Sequence, residues 1–178
     1  MNQISLIMKV QVFNSSKNPL PKYETSQSAG LDLRADFSKN DLNHPIKVYG
    51  NGQFIPANEV QKTPSLYLEP GSRALIPTGL YMAIPDGYEI QLRPRSGLAI
   101  KEGIALINCV GTIDADFRYE VCVPIVNHSN KVVCIEEGER ICQGVLNKVE
   151  QIEWDKVNSI KELGTTDRKG GFGSTGTK

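Results

Sequence analysis

The chain has no surplus of charge. Lys and Arg total 20, Asp and Glu total 20, and the formal net charge of the 178 residues is zero. Such a chain offers no overall pull to a polyanion or an anionic bilayer, so neither nucleic acid nor membrane is an expected partner. No apolar run approaches the ~20 residues that span a membrane. The opening stretch MNQISLIMKVQVF lacks a basic lead-in and a small-residue cleavage site. It alternates as a strand does and is read as one, not as a signal peptide. Histidine is scarce, with only His44 and His128. The four cysteines, Cys109, Cys122, Cys134 and Cys142, form no C-x-x-C pair, which argues against a zinc site of standard spacing. Their neighbours are mostly apolar, which predicts reduced, buried thiols in a cytoplasmic protein. Internal repeats are missing too, and the length suits one domain with its own core.

What is present is a succession of short β-rich runs. Strands are expected over Ile4–Phe13, Leu66–Glu69, Arg73–Thr78, Leu80–Ile84, Tyr88–Arg93, Glu120–Asn127, Lys131–Glu136 and Ile141–Val149. Turn chemistry separates them, as in EPGS, IPDGY, NHSN and EEGE. Many short strands at near-regular spacing predict an all-β sandwich or barrel. Pro124 inside EVCVPIVN predicts an edge strand or a bulge there. Helix signals are few. SGLAIKEG reads as one short helix ending near Gly103, and VEQIEWDKVNSIKELG carries apolar spacings that leave helix and strand open. Residues 38–65, rich in Asn, Pro, Gly and Lys, read as a long hairpin or surface excursion within a domain of residues 1–165.

Four stretches carry chemistry. In GTIDADFRYE, Asp114 and Asp116 would share a face if the backbone were extended. They read either as turn residues or as a general base in a partly dry site. In RPRSGLA, Arg95, Ser96 and the N–H groups before a short helix suit an anion. EEGERICQGVL holds Arg140 and Gln143 at a turn entering a strand. The last residues, TDRKGGFGSTGTK, contain G-x-G-x-x-G without the strand before and helix after that a dinucleotide fingerprint needs. Glycines there let successive N–H groups converge on an anion, Arg168 and Lys169 add charge, and Phe172 offers a stacking ring. A flexible arm over 166–178 would close on a nucleotide.

Five stretches in order, AGLDLRA, RPRSGLA, GTIDADFRYEV, GERICQ and RKGGFGSTG, make the chain resemble the trimeric deoxyuridine triphosphate pyrophosphatases, the dUTPases. The resemblance implies a β jelly roll, one short helix and a homotrimer with active sites at subunit interfaces. It implies that dUTP and water give dUMP and pyrophosphate, with Mg²⁺ bound mainly through the triphosphate. Such a reaction keeps uracil out of DNA and supplies dUMP for thymidylate synthesis. On the matching positions the resemblance implies the following roles: Asp114 orients and deprotonates the attacking water. Asn108, with the hairpin backbone at Thr112 and Ile113, reads the uracil edge. Phe117, where tyrosine is usual, packs under the deoxyribose. Arg95, Ser96, Gly97 and Gln143 hold phosphate oxygens. Asp32 supports the metal through water. From the arm, Arg168, Gly173 and Ser174 bind phosphate and Phe172 covers the base. Tyr119 stands where glycine is usual.

Two rivals share the expected fold. A dCTP deaminase would need a glutamate ten residues after the motif aspartate, and that position is Pro124. A non-catalytic relative would lack Asp114, Arg95 or the arm, and all three are present.

Overall fold

Alternation of buried and exposed side chains along short strands builds this protein. The computed structural model describes residues 8–39, 46–56, 62–168 and 170. In order, the elements are β1 (Gln11–Asn14), β2 (Leu31–Arg34), β3 (Lys47–Tyr49), β4 (Gly52–Ile55), β5 (Ser65–Leu68), β6 (Arg73–Pro77), β7 (Leu80–Ala83) and β8 (Tyr88–Pro94). Helix α1 (Ser96–Glu102) follows, then β9 (Ile104–Leu106), β10 (Gly111–Ile113), β11 (Cys122–Asn127), β12 (Val133–Glu136) and β13 (Arg140–Lys148). A 3-10 turn, Ile160–Leu163, lies beyond them. The strands form four antiparallel sheets, ordered β1-β7, β10-β8-β13-β2, β3-β6-β11-β9 and β12-β5-β4. The all-β, jelly-roll-like expectation is realised, and the described residues hold one short α-helix.

One apolar cluster joins all four sheets, with Leu80 of β7 bringing in the two-stranded one. Leu33, Leu92 and Ile113 come from the first four-stranded sheet, Ile76, Val123 and Ile125 from the second, and Leu66, Leu68 and Ile135 from the third. Each such side chain contributes about 1.5–3 kcal/mol when fully buried. Asn127 is polar and fully buried, yet each of its polar atoms is engaged. Its amide donates to the carbonyls of Leu68 and Lys131, both at 2.8 Å, and its side-chain oxygen accepts from Ser129. That arrangement fixes the turn between β11 and β12.

Several sequence expectations change here. Pro124 lies in an interior strand, because β11 pairs with both β6 and β9. The β9 ladder begins only at Ile125, and the Pro124 carbonyl accepts from Ile107 N at 3.0 Å on that side. The missing N–H therefore falls just past the ladder's end. Cys142 is buried, as expected, but Cys109 is exposed and Cys122 and Cys134 are half-buried. Within 38–65, β3 pairs with β6 and β4 with β5, so the two strands extend different sheets and do not pair with each other. After β13, residues 149–159 form no helix, and Ile152 and Trp154 are exposed. The expected strand from Ile4 is observed only as β1, and residues 1–7 lie outside the described part. Helix α1 ends as expected at Gly103, whose left-handed φ of 70° allows its N–H to close the last turn.

Candidate active site

The first part of the site is made by register. In the sheet β10-β8-β13-β2, Gln143 lies opposite Arg93 on one side and Asp32 on the other. Directly opposed residues share a face, so Arg93, Gln143 and Asp32 form one row. Arg95, immediately after β8, donates from Nε to Asp32 Oδ1 at 3.1 Å and from Nη1 to the Arg140 carbonyl at 3.0 Å. Arg140 donates from Nη1 to Asp32 Oδ2 at 3.2 Å and approaches Glu24 at 3.5 Å. Two guanidinium groups thus clamp one carboxylate from both sides, and each retains further N–H donors. Gly30 belongs to this end as well. A Cβ on it would lie 2.7 Å from Gln143 Oε1, so a larger residue would displace the glutamine. Burial pushes the Glu139 carboxyl above its ordinary value, while the Glu136 N–H and the Arg95 charge pull it back. Burial also raises the neighbouring Cys142 thiol to about 12, which leaves it inert.

Ser96 and Gly97 are exposed at the first turn of α1. The leading N–H groups of a helix have no partner within it. The Arg95 backbone is extended, with φ −85° and ψ 124°, and its carbonyl accepts from Ala99 N at 3.0 Å.

The second part lies along β10. Gly111, Thr112 and Ile113 pair with Leu92, Gln91 and Ile90 of β8. Because β9 pairs with β11 and β10 with β8, the segment between β9 and β10 crosses from one sheet to the other. Asn108 lies in that crossing and is exposed, with its amide folded near Gly111. Thr112 is exposed, whereas the Ile113 side chain belongs to the core. The chain then turns: Phe117 N donates to the Asp114 carbonyl at 3.2 Å. Asp114 and Asp116 are therefore turn residues, and both are exposed in this chain rather than partly dry. With Asp86 and Glu89 they line an open cavity of about 800 Å³. Phe117 is half-buried against the core.

These two parts stand at opposite ends of β8. The register carries Asp114 beside Glu89, and Arg95 follows six residues further along an extended strand. At ~3.3 Å per residue that is about 20 Å. One end is rich in carboxylates, the other in guanidinium groups. Between them a side-chain ladder runs down β8, with Arg93 donating to Gln91 Oε1 at 2.7 Å and Gln91 to Glu89 Oε1 at 2.7 Å.

Sequence reading missed Glu24 and Arg93 and gave Arg140 no role. The alternation in Arg93-Pro94-Arg95 and the position of Arg140 inside GERICQ were the available signals. Arg168 is exposed, with Nε donating to the Gly170 carbonyl at 2.9 Å. Phe172, Gly173 and Ser174 lie outside the described residues. Among the described residues no three His, Cys, Asp or Glu side chains gather as a metal cage. Mg²⁺ often relies on one or two carboxylates plus substrate phosphates. Asp32 suits that use. A carboxylate has about four lone-pair sites, and the two arginines take two of them.

The dUTPase family model matches residues 59–176. A deoxyuridine 5'-triphosphate nucleotidohydrolase of Finegoldia magna is 49% identical over 95% of this chain and 99% of its own length. Its counterpart in Fusobacterium nucleatum is 45% identical over 95% and 97%. Among solved structures, a mutant dUTPase of Staphylococcus bacteriophage 80alpha with dUpNHpp superposes with a TM-score of 0.70 at 23% identity. It covers 95% of this chain and 99% of that one, which shows a shared fold. A mutant dUTPase from phage phi11 of S. aureus, described with a coordinated structural Mg(II) ion, has a TM-score of 0.62 at 19% identity, over 86% and 99%.

Proposed function

The chain belongs to the dUTPase family, and from that premise we propose that it hydrolyses dUTP to dUMP and pyrophosphate. The observation that carries the reading is the clamp of Arg95 and Arg140 on Asp32, beside Gln143. It is an anion-binding surface assembled before any anion arrives. In phosphoryl transfer the protein contributes mainly position and charge stabilisation, and preassembled donors supply both.

Asp114 serves as the general base that orients and deprotonates water at the α-phosphorus. Asn108 and the backbone at Thr112 and Ile113 read the uracil edge. Phe117 underlies the sugar and leaves no room for a 2′-hydroxyl. Arg95, Ser96, Gly97 and Gln143 hold phosphate oxygens. Arg168, Gly173 and Ser174 complete that shell, and Phe172 covers the base. Closing of the arm over 166–178 would exclude water from the developing charge. Asp32 would hold Mg²⁺ through water, and the ion, when bound with the triphosphate, would supply neutralisation of phosphate charge.

The separation of Asp114 from Arg95 along β8 favours a site shared between copies. A triphosphate is repelled by the carboxylates at the Asp114 end unless cations face them, and the guanidinium end of a second copy supplies such cations. The homotrimer with shared sites that the family resemblance implies accords with this reading. The product role, excluding uracil from DNA and feeding thymidylate synthesis in the cytoplasm, goes with it. Pyrophosphate release from dUTP, dTTP, dCTP and UTP, with Mg²⁺ and with chelator, tests the proposal. Release from dUTP alone, lost with chelator, is expected. Equal release from all four, or none, would overturn it.

A further inference from the structure

The turn after β10 carries a second aromatic ring that none of the roles above uses. Tyr119 is 77% exposed, and its ring packs edge-on against Phe117, with centroids 5.8 Å apart and planes at 64°. Burial does not account for a tyrosine left so open to water. No described non-glycine residue has a positive φ, so the backbone at Tyr119 is one that any side chain accepts.

The backbone beneath Phe117 is already fixed. Its N–H donates to the Asp114 carbonyl, and Arg118 Nη1 donates to the carbonyls of Ala115 at 2.6 Å and Phe117 at 3.1 Å. What those bonds leave free is the ring. A side chain on a fixed backbone still chooses among staggered wells. Phe117 packs partly against the core, and the exposed Tyr119 ring meets it edge-on. Edge-to-face geometry is attractive for aromatic pairs, so the contact selects one ring position.

We propose that Tyr119 is a positioning residue, which holds the Phe117 ring where it rejects a 2′-hydroxyl. The inference rests on the reading that Phe117 underlies the deoxyribose. A ring that swings by a staggered well vacates the space a ribose hydroxyl needs. Loss of Tyr119 therefore costs sugar discrimination more than turnover of dUTP itself. The hydroxyl of Tyr119 plays no part in this, because an edge-on phenyl ring makes the same contact.

The experiment compares the full chain with Tyr119→Ala and Tyr119→Phe by two readouts. The first is NMR of ring-labelled phenylalanine, which reports Phe117 rotamer averaging without any substrate. The second is the ratio of kcat/KM for dUTP over UTP. Tyr119→Ala should average the Phe117 signals and lower the ratio about five-fold, equivalent to about 1 kcal/mol, with kcat for dUTP and oligomer mass retained. Tyr119→Phe should behave as the parent. Unchanged Phe117 signals, an unchanged ratio, or a changed oligomer mass in Tyr119→Ala would each overturn the proposal. If the parent chain does not hydrolyse dUTP, the functional reading fails by itself, and the NMR comparison still decides whether Tyr119 positions the ring.

Discussion

The Arg95 end of β8 and the Asp114 end solve different problems. At the first, opposite charges meet inside one chain: Asp32 takes both arginines, and Glu24 lies 3.5 Å from Arg140. At the second, Asp86, Glu89, Asp114 and Asp116 surround an open cavity, and Asp114 and Asp116 stand exposed on a tight turn. In the proposed reaction, guanidinium groups that hold phosphate would need a fixed geometry, which a strand register supplies, and a general base would need to be reachable, which an exposed turn allows. The ends also complement each other in charge, so a second copy can bring to each what it lacks.

Removing the base should break the comparison most severely. Asp114→Ala is expected to lower kcat by about 10²–10⁴, with dUTP affinity nearly unchanged, because a base acts in the transition state. Single-turnover rates and a binding titration with Mg²⁺ check this, and an unchanged kcat removes Asp114 from the chemistry.

A sharper test mixes the two ends. Asp114→Ala and Arg95→Ala chains, each inactive alone, should regain activity when refolded together. If copies mix at random, roughly a quarter of the shared sites carry both intact residues. No recovery would mean that both groups serve the same site from one chain.

The smallest effect concerns how the Arg95 end is held. Burial raises the folded-state pKa of Glu139 above its ordinary 4.5. Well below that value the carboxyl is neutral whether folded or not, and burial carries no charge penalty. As pH rises from 4.5 through the raised value, the unfolded chain releases its proton first and stability is lost. Glu139→Gln should therefore lose less stability over that window. Its melting temperature should fall about a degree or two less than that of the parent, after allowance for solvent screening at a half-exposed group. Identical pH profiles would show that this carboxyl does not set the local stability.

Much of this could be read before any coordinates. Eight strands were expected near their observed places, because Arg73–Pro77, Tyr88–Pro94 and Arg140–Lys148 carry alternation long enough to register as a period. The three-residue strands β3, β9 and β10 are too short for that signal, and β2 lies inside AGLDLRA, which is legible as a motif rather than as a strand. The apolar spacing from Val149 to Leu163 pointed ambiguously at a helix, yet Ile152, Trp154, Ile160 and Leu163 are all exposed. Spacing says which residues would share a face, and an element forms only where something covers that face.

The sequence by itself determined the family, because its motifs occur in order along the chain, and with the family came the residues proposed as base, phosphate donors and sugar platform. Tertiary structure alone decided their arrangement. Which arginines share Asp32, how far Asp114 stands from Arg95, and that the Tyr119 ring meets Phe117 edge-on all follow from strand register and turn geometry. Register is a relation between segments distant in the chain, and such pairings are fixed by the packing of the whole core.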